Sequence, residues 1–187
     1  MSVLPELVVG PRLVLRRWRV SDMEILRDAI QDSIDHLRPW MSWIEFEPLS
    51  DRDRKALIRR WEDDRKAGKE VVFGAFEGDQ VVGGCGLHRR AGPKTLEIGY
   101  WVHVDHLRKG YATEMARILT SAAFTVPDIE RVEIHHDKAN TRSGAIPEAL
   151  GYHLDGESKV TPHAPATTGI DVAWSMTKEA WDVSVAT

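Results

Sequence analysis

Residues 96–114 read Leu-Glu-Ile-Gly-Tyr-Trp-Val-His-Val-Asp-His-Leu-Arg-Lys-Gly-Tyr-Ala-Thr-Glu, a strand pattern that becomes a helix pattern across two cations. Arg108 and Lys109 occupy the loop, and Gly110-Tyr111-Ala112 opens the helix. The first amides of a helix lack intrahelical partners, and with the positive end of the helix dipole they make a site for an anion. Gly110 lets such a group reach the backbone, Ala112 keeps the next position small, and the two cations can screen a second charge. The same pattern also serves as a plain strand-to-helix turn, so by itself it points to an anion without naming one. Two nucleotide loops are excluded. No Gly-x-x-x-x-Gly-Lys-Ser/Thr occurs, and Gly84-Cys85-Gly86 meets Arg89 where a dinucleotide fingerprint needs its third glycine.

Other reactive side chains carry less. Glu97 shares a strand face with positions 99 and 101, opposite Leu96 and Ile98, which suits a base and equally a cross-strand glutamate. His135 and His136 are adjacent, so on a strand they point to opposite faces. With no third ligand at a recognisable spacing, no metal site is expected. His103 and His106 flank the loop start and read as surface residues, while Cys85, among glycines, reads as a small buried filler. The mixed charges from Arg52 to Lys66 read as a solvated helix face.

The elements that must position these residues follow from hydrophobic period. Arg12 to Trp18 alternates like a half-buried strand, and Ser21-Asp-Met-Glu24 resembles a capping box ahead of a helical stripe (Met23, Leu26, Ile30, Ile34, Leu37) that Pro39 should end. Residues 36–43 form a break. Ser50-Asp-Arg-Asp53 offers a second cap, for a helix ending near Gly68. Three strands follow (71–76, 80–87, 95–104), then a helix from Tyr111 to about Pro127, a strand at 131–136, a short helix ending at Leu150-Gly151, and strands at 152–160 and 170–177. The order predicts an α+β, three-layer fold: a mostly antiparallel mixed sheet of about seven strands with helices on both faces.

Composition sets the outer bounds. The 187 residues, 42% hydrophobic and 29% charged, fit a single domain spanning 1–187. Lys plus Arg number 25 against 29 Asp plus Glu, a net −4 that lacks the basic field of a duplex-binding surface, so nucleic acid is not an expected partner. One cysteine forms no internal disulfide, the start of the chain lacks a secretory layout, and no apolar run approaches the roughly 18 residues of a membrane span. A cytoplasmic protein without a membrane partner is expected. The skew is aromatic: seven Trp against three Tyr and four Phe.

A second cluster, Asn140-Thr-Arg-Ser-Gly-Ala-Ile-Pro-Glu-Ala-Leu-Gly-Tyr152, brings a family into view. Asn-x-x-Ser ahead of Leu-Gly-aromatic, together with Glu-Ile-Gly-Tyr-Trp and Gly-Tyr-Ala-Thr-Glu, resembles the GNAT acyltransferases, and within them the RimJ/RimL subgroup. The opening strand, Leu37-Arg-Pro-Trp-Met-Ser-Trp43 and the final Trp174 to Trp181 are similar too, so the resemblance covers most of the chain. It implies an acetyl-CoA site, with other acyl-CoA donors open. The pyrophosphate would rest on the amides of Arg108, Lys109, Gly110, Tyr111, Ala112 and Thr113. The strand backbone near Trp101, Val102 and Val104 would hold the pantetheine arm, with Asn140 on its other side. The family motif usually begins with Gln or Arg. Here Leu107 stands there, with arginine one place later.

The resemblance also implies catalytic roles. The family's strand carboxylate matches Glu97 as general base, with water or His135 as the alternative. Many members use a tyrosine four residues before the glycine that ends the last helix, but this chain has Pro147 there, and the subgroup's serine matches Ser143 as general acid; the alternative for Ser143 is a helix-capping hydroxyl. Pro147 also removes an amide that would bond the Ser143 carbonyl, which predicts a kink or tight turn. An oxyanion donor is expected near a strand distortion at Trp101 and Val102. Trp40, Trp43 and Glu45 combine apolar surface with negative charge, as would suit a cationic amine acceptor, though both indoles could be structural. The expected reaction is acetylation of a protein or peptide α-amine. A small amine is the runner-up, and a non-catalytic acyl-CoA-binding protein is the reading from another class. A homodimer is compatible with either.

Overall fold

The computed structural model describes residues 2–185; Met1, Ala186 and Thr187, at the ends of the expected domain, lie outside them. One sheet of eight strands has the order β1-β2-β3-β4-β5-β6-β8-β7. The strands are β1 (Leu7–Val9), β2 (Val14–Arg17), β3 (Glu70–Glu77), β4 (Gln80–His88), β5 (Thr95–Val102), β6 (Arg131–Asp137), β7 (His153–Lys159) and β8 (Ile170–Thr177). The helices are α1 (Met23–Leu37), α2 (Asp51–Lys66), α3 (Tyr111–Thr125), α4 (Thr141–Ala149) and α5 (Lys178–Val185).

Strand alternation sorts side chains between two cores. Leu96 and Ile98 of β5 and Val132 and Ile134 of β6 pack with Met115 and Leu119 of α3. On the other face Trp18 and Phe76 pack with Met23, Leu26 and Ile30 of α1 and Ile58 of α2. Among the described residues no helix is long and apolar enough to cross a membrane.

Three local expectations change. β1 and α5 add to the expected elements, because a three-residue edge strand and an eight-residue terminal helix carry too little periodic pattern to read. Ser21 does not cap α1: the Asp22 carboxylate instead accepts the Arg19 amide (2.8 Å) and binds Arg16 (2.6 Å), which leaves a 3-10 turn at Val20–Asp22. Ser50 does cap α2, its hydroxyl accepting the Asp53 amide at 3.2 Å. His103 is buried, its Nδ1 accepting the Asp105 amide at 3.2 Å.

All neighbouring strands are antiparallel except β5 and β6, which α3 connects in parallel. That pair holds for only Thr95, Leu96 and Glu97 against Arg131, Val132 and Glu133. Beyond it β5 continues to Val102 and β6 to Asp137 without touching in register. The β5 backbone groups that face away from β4 there meet no strand among the described residues. An unpaired strand edge is a ready template for an extended ligand.

Candidate active site

After β5 the chain makes a 3-10 turn, Val104–His106, and enters the loop. Arg108 has φ +60° and Gly110 φ +80°, both left-handed, a conformation that turns successive amides inward as an anion-binding nest. Gly110 is the N-cap of α3 and no side chain caps it. The first helical bond is from the Glu114 amide to the Gly110 carbonyl (3.0 Å), so the amides of Tyr111, Ala112 and Thr113 have no acceptor among the described residues. Glu114 would neutralise this end of the helix, but Arg12 holds it, through its backbone amide (3.0 Å) and Nε (2.7 Å). Arg12 Nη2 also donates to the Lys109 carbonyl (3.4 Å), and its guanidinium lies 4.9 Å from the Tyr111 ring centre. Tyr111 donates its hydroxyl to Glu77 (2.5 Å). Arg12 is thus a further cation at the loop, one that its position in the sequence did not flag. Free amides, cations and an unpaired strand edge in line fit a phosphate-bearing donor with an extended arm.

Two expectations about that arm change. Val104 is not on the strand, and its amide is taken by the Ser33 hydroxyl of α1 (3.1 Å). The register of β5 on β4 is unbroken from Glu97 to Val102, so no bulge lies at Trp101 and Val102; the opening comes from the parting of β5 and β6. Trp101 lends its backbone to that edge but sends its indole to the α1–α2 side. A Cβ on Gly84 would come within 2.5 Å of the indole nitrogen, so only glycine fits beneath it.

On the α1–α2 side a cleft of about 1220 Å³ takes in both Glu97 and Ser143. Glu97 sits in a polar row across the sheet, with Glu70, His88, Glu97 and Glu133 in consecutive cross-strand register. Its Oε1 accepts from Arg90 Nη1 at 2.9 Å. His135 enters from β6 with Nδ1 2.8 Å from Asp171 and Nε2 3.3 Å from Glu133. Burial alone would lower its pKa, but the bond and charge of Asp171, the bond of Glu133 and the charge of Glu97 outweigh it and raise the imidazole above its usual value. That direction favours the protonated imidazole over the free base. His136 points the other way: the Trp174 indole donates to its Nε2 (3.1 Å), and its Nδ1 donates to the Asp137 carbonyl (2.9 Å). Asp137 accepts the amides of Ala139, Thr168 and Gly169 and the Thr168 hydroxyl. Burial opposes its charge, yet these donors hold its pKa down at about 2, and the carboxylate pins the 162–169 loop to the sheet. Among the described residues no group of three or more His, Cys, Asp or Glu could hold a metal ion. Cys85 is buried and burial raises its thiol pKa, which suits a filler.

Ser143 lies in the first turn of α4. The cap of that helix is Asn140, whose Oδ1 accepts the Ser143 amide at 3.3 Å, so the serine hydroxyl is not the cap. That hydroxyl lies 3.2 Å from the Tyr100 hydroxyl of β5. Tyr100 also donates to the Ser143 carbonyl at 3.2 Å. The helix runs through Pro147 to Ala149, and the phenol supplies a donor to the carbonyl that the missing Pro147 amide cannot serve. Burial pushes the Tyr100 phenol up to about 12, despite its bond to Ser143, so it stays a donor. Sequence reading missed Tyr100; its only signal was the strand position one residue from Trp101.

The end of the cleft beside α1 and α2 is aromatic. Five of the seven tryptophans line it: Trp18, Trp40, Trp43, Trp61 and Trp101. Trp43 and Trp101 pack at 6.4 Å between centroids, tilted by 56°. Glu45 is exposed and outside the lining, whereas Glu47 lines the cleft and forms two bonds to buried Arg54 (2.8 and 2.5 Å) that anchor this segment to α2.

Fold and site together define an acyltransferase with a phosphate-bearing acyl donor. Residues 12–153 match the family model "Acetyltransferase (GNAT) domain", and the chain belongs to that family, an N-acetyltransferase using acetyl-CoA. It is 25% identical over 175 residues to the Bacillus subtilis (strain 168) protein "Putative ribosomal N-acetyltransferase YdaF", covering 93% of this chain and 96% of that one. Solved acetyltransferase structures share the fold. RimL, the ribosomal L7/L12 α-N-protein acetyltransferase in complex with coenzyme A, superposes with TM-score 0.84 at 18% identity, covering 94% of this chain and 99% of that one. The microcin C7 self-immunity acetyltransferase MccE, in complex with acetyl-CoA and AMP, gives 0.82 at 20% identity, covering 94% and 98%.

Proposed function

We propose that this enzyme acetylates the α-amine of a protein or peptide chain, with Glu97 as general base and Ser143 as general acid. The observation that carries the reading is that Glu97 and Ser143 line one cleft, at the place where β5 and β6 part. Acetyl-CoA supplies a thioester carbonyl there. Glu97, directly or through one water, takes the proton of the incoming ammonium, and Ser143 gives its proton to the departing thiolate and is reprotonated by the proton that the newly bonded nitrogen sheds as it becomes the amide. The bond from acyl carbon to nitrogen forms as the bond to sulfur breaks. The loop amides, Arg108 and Lys109 hold the phosphates, the β5 edge at Trp101 and Val102 faces the arm, and Asn140 holds it from the α4 side.

A protein acceptor is supported by the likeness to a putative ribosomal N-acetyltransferase of Bacillus subtilis and to RimL, whose name gives ribosomal L7/L12 as its protein substrate. It also suits a cleft larger than the roughly 300–1000 Å³ of sites that enclose a drug-sized ligand. Acetylation of a small amine is the second reading, favoured by the indole lining and by the likeness to the MccE complex. Thiol release against peptide N-termini, aminoglycosides and polyamines separates the two. Ser143→Ala should lower turnover about 100-fold with acetyl-CoA affinity nearly intact, and full activity would remove serine from the mechanism. Glu97→Gln should flatten the basic limb of the pH–rate profile; an unchanged limb would pass the role to water or His135.

A further inference from the structure

Past Glu97 the cleft runs into a smaller cavity of about 290 Å³ at the end of the sheet where β3 begins and β4 ends, sharing Arg60, Glu70, His88 and Arg90 with it. In a chain of net charge −4 this cavity has the opposite sign: Arg60, Lys69, Arg89 and Arg90 against Asp64 and Glu70. Local pairing does not use up the excess. Lys69 binds Asp64 (3.3 Å), His88 binds Glu70 (2.8 Å) and Arg90 binds Glu97 (2.9 Å). Arg60, exposed on α2, has no carboxylate within ion-pair distance among the described residues. Arg89 donates Nε to the Gly68 carbonyl (2.8 Å) and Nη1 to the Pro93 carbonyl, and its Nη2 is buried without a partner among the described residues. Two backbone carbonyls fix the plane of that guanidinium but leave its charge uncompensated. A partly desolvated charge of this kind is stabilised by an anion that binds beside it.

We propose that this cavity is an acceptor subsite for a carboxylate, contacted by Arg60 and Arg90 and drawn in by the charge of Arg89 behind them, so that the enzyme prefers chains with an acidic residue shortly behind the reacting amine. The inference rests on the peptide-acceptor reading and adds a sequence preference to it. Glu70 and Glu97 are separated by two strand spacings, roughly 10 Å. An extended chain covers about 3.3–3.6 Å per residue, so an amine at Glu97 places the second to fourth residues at the arginines.

The test is kcat/KM for C-terminally amidated hexapeptides that differ only at positions two to four, as Asp/Glu, Asn/Gln or Lys, beside a dipeptide offered as free acid and as amide. Wild-type enzyme should prefer the acidic over the neutral hexapeptide by about tenfold, mainly through KM, and the preference should shrink in high salt. In Arg60→Glu the acidic-to-lysine ratio should fall towards or below one; Arg60→Gln, a milder change on an exposed helix position, should fall between. A preference confined to the free-acid dipeptide would assign the cavity to a terminal carboxylate and overturn the side-chain assignment. Equal rates for all hexapeptides in wild-type enzyme would overturn the inference while leaving peptide acetylation standing. No turnover of any peptide by an enzyme that binds acetyl-CoA would overturn both.

Discussion

Tyr100→Phe removes one oxygen and two contacts, each at 3.2 Å, with the Ser143 carbonyl and the Ser143 hydroxyl. Pro147 stands where the helix would otherwise present the amide for that carbonyl, so the variant takes away a donor that the helix cannot replace. A buried acceptor left without its donor costs about 1–3 kcal/mol. At about 2 kcal/mol, a domain of this size should lose roughly 4–8 °C in Tm. The serine hydroxyl loses its anchor too, and turnover should fall about tenfold with acetyl-CoA affinity little changed. Pro147→Ala returns an amide four residues after Ser143, the helical partner of its carbonyl. In that background Tyr100→Phe should cost about 1 kcal/mol less, a coupling that a double-mutant cycle of urea midpoints resolves. Equal destabilisation in both backgrounds would refute the reasoning and leave Tyr100 as packing alone.

Gly110→Ala forces a side chain onto φ +80° at the mouth of the loop, so acetyl-CoA should bind more than about tenfold more weakly by calorimetry; unchanged binding would take the phosphates elsewhere. Arg54→Leu leaves Glu47 buried beside an apolar group and should cost about 3–5 kcal/mol in urea, with a raised KM for the acceptor; a wild-type midpoint would deny the anchor its role. His135 has its folded-state pKa raised by Asp171, Glu133 and Glu97 against burial, so the stability it adds is fully present below the unfolded value of about 6.5 and lost as pH climbs through the folded one. Wild type should therefore exceed His135→Gln in stability by more at about pH 5.5 than at about pH 9, and the opposite order would mean that the cation is not held.

Much was legible in sequence where the signal is local. The change of period at Gly110, the Ser50 cap and the break between the strands at 71–76 and 80–87 depend on neighbours a few residues apart, and each lies where the sequence places it. The alternation of β5 put Glu97 and Trp101 on the face opposite Leu96 and Ile98, and the family resemblance singled out Ser143. Sequence did not show that Arg12 draws Glu114 away from the anion loop, that Tyr100 stands in for the missing Pro147 amide, that Glu47 rather than Glu45 lines the cleft, or that Ser33 takes the Val104 amide. Most of these pairs join residues dozens of positions apart, and which partners meet depends on strand order, on register, and on where β5 and β6 part. Period and turn chemistry are written along the chain, so sequence alone determined the longer elements and the strand-to-helix loop at Gly110. The geometry around Ser143, the sign of the small basic cavity and the opening beside β5 exist only once the sheet is assembled, because each depends on which distant elements meet and in what register.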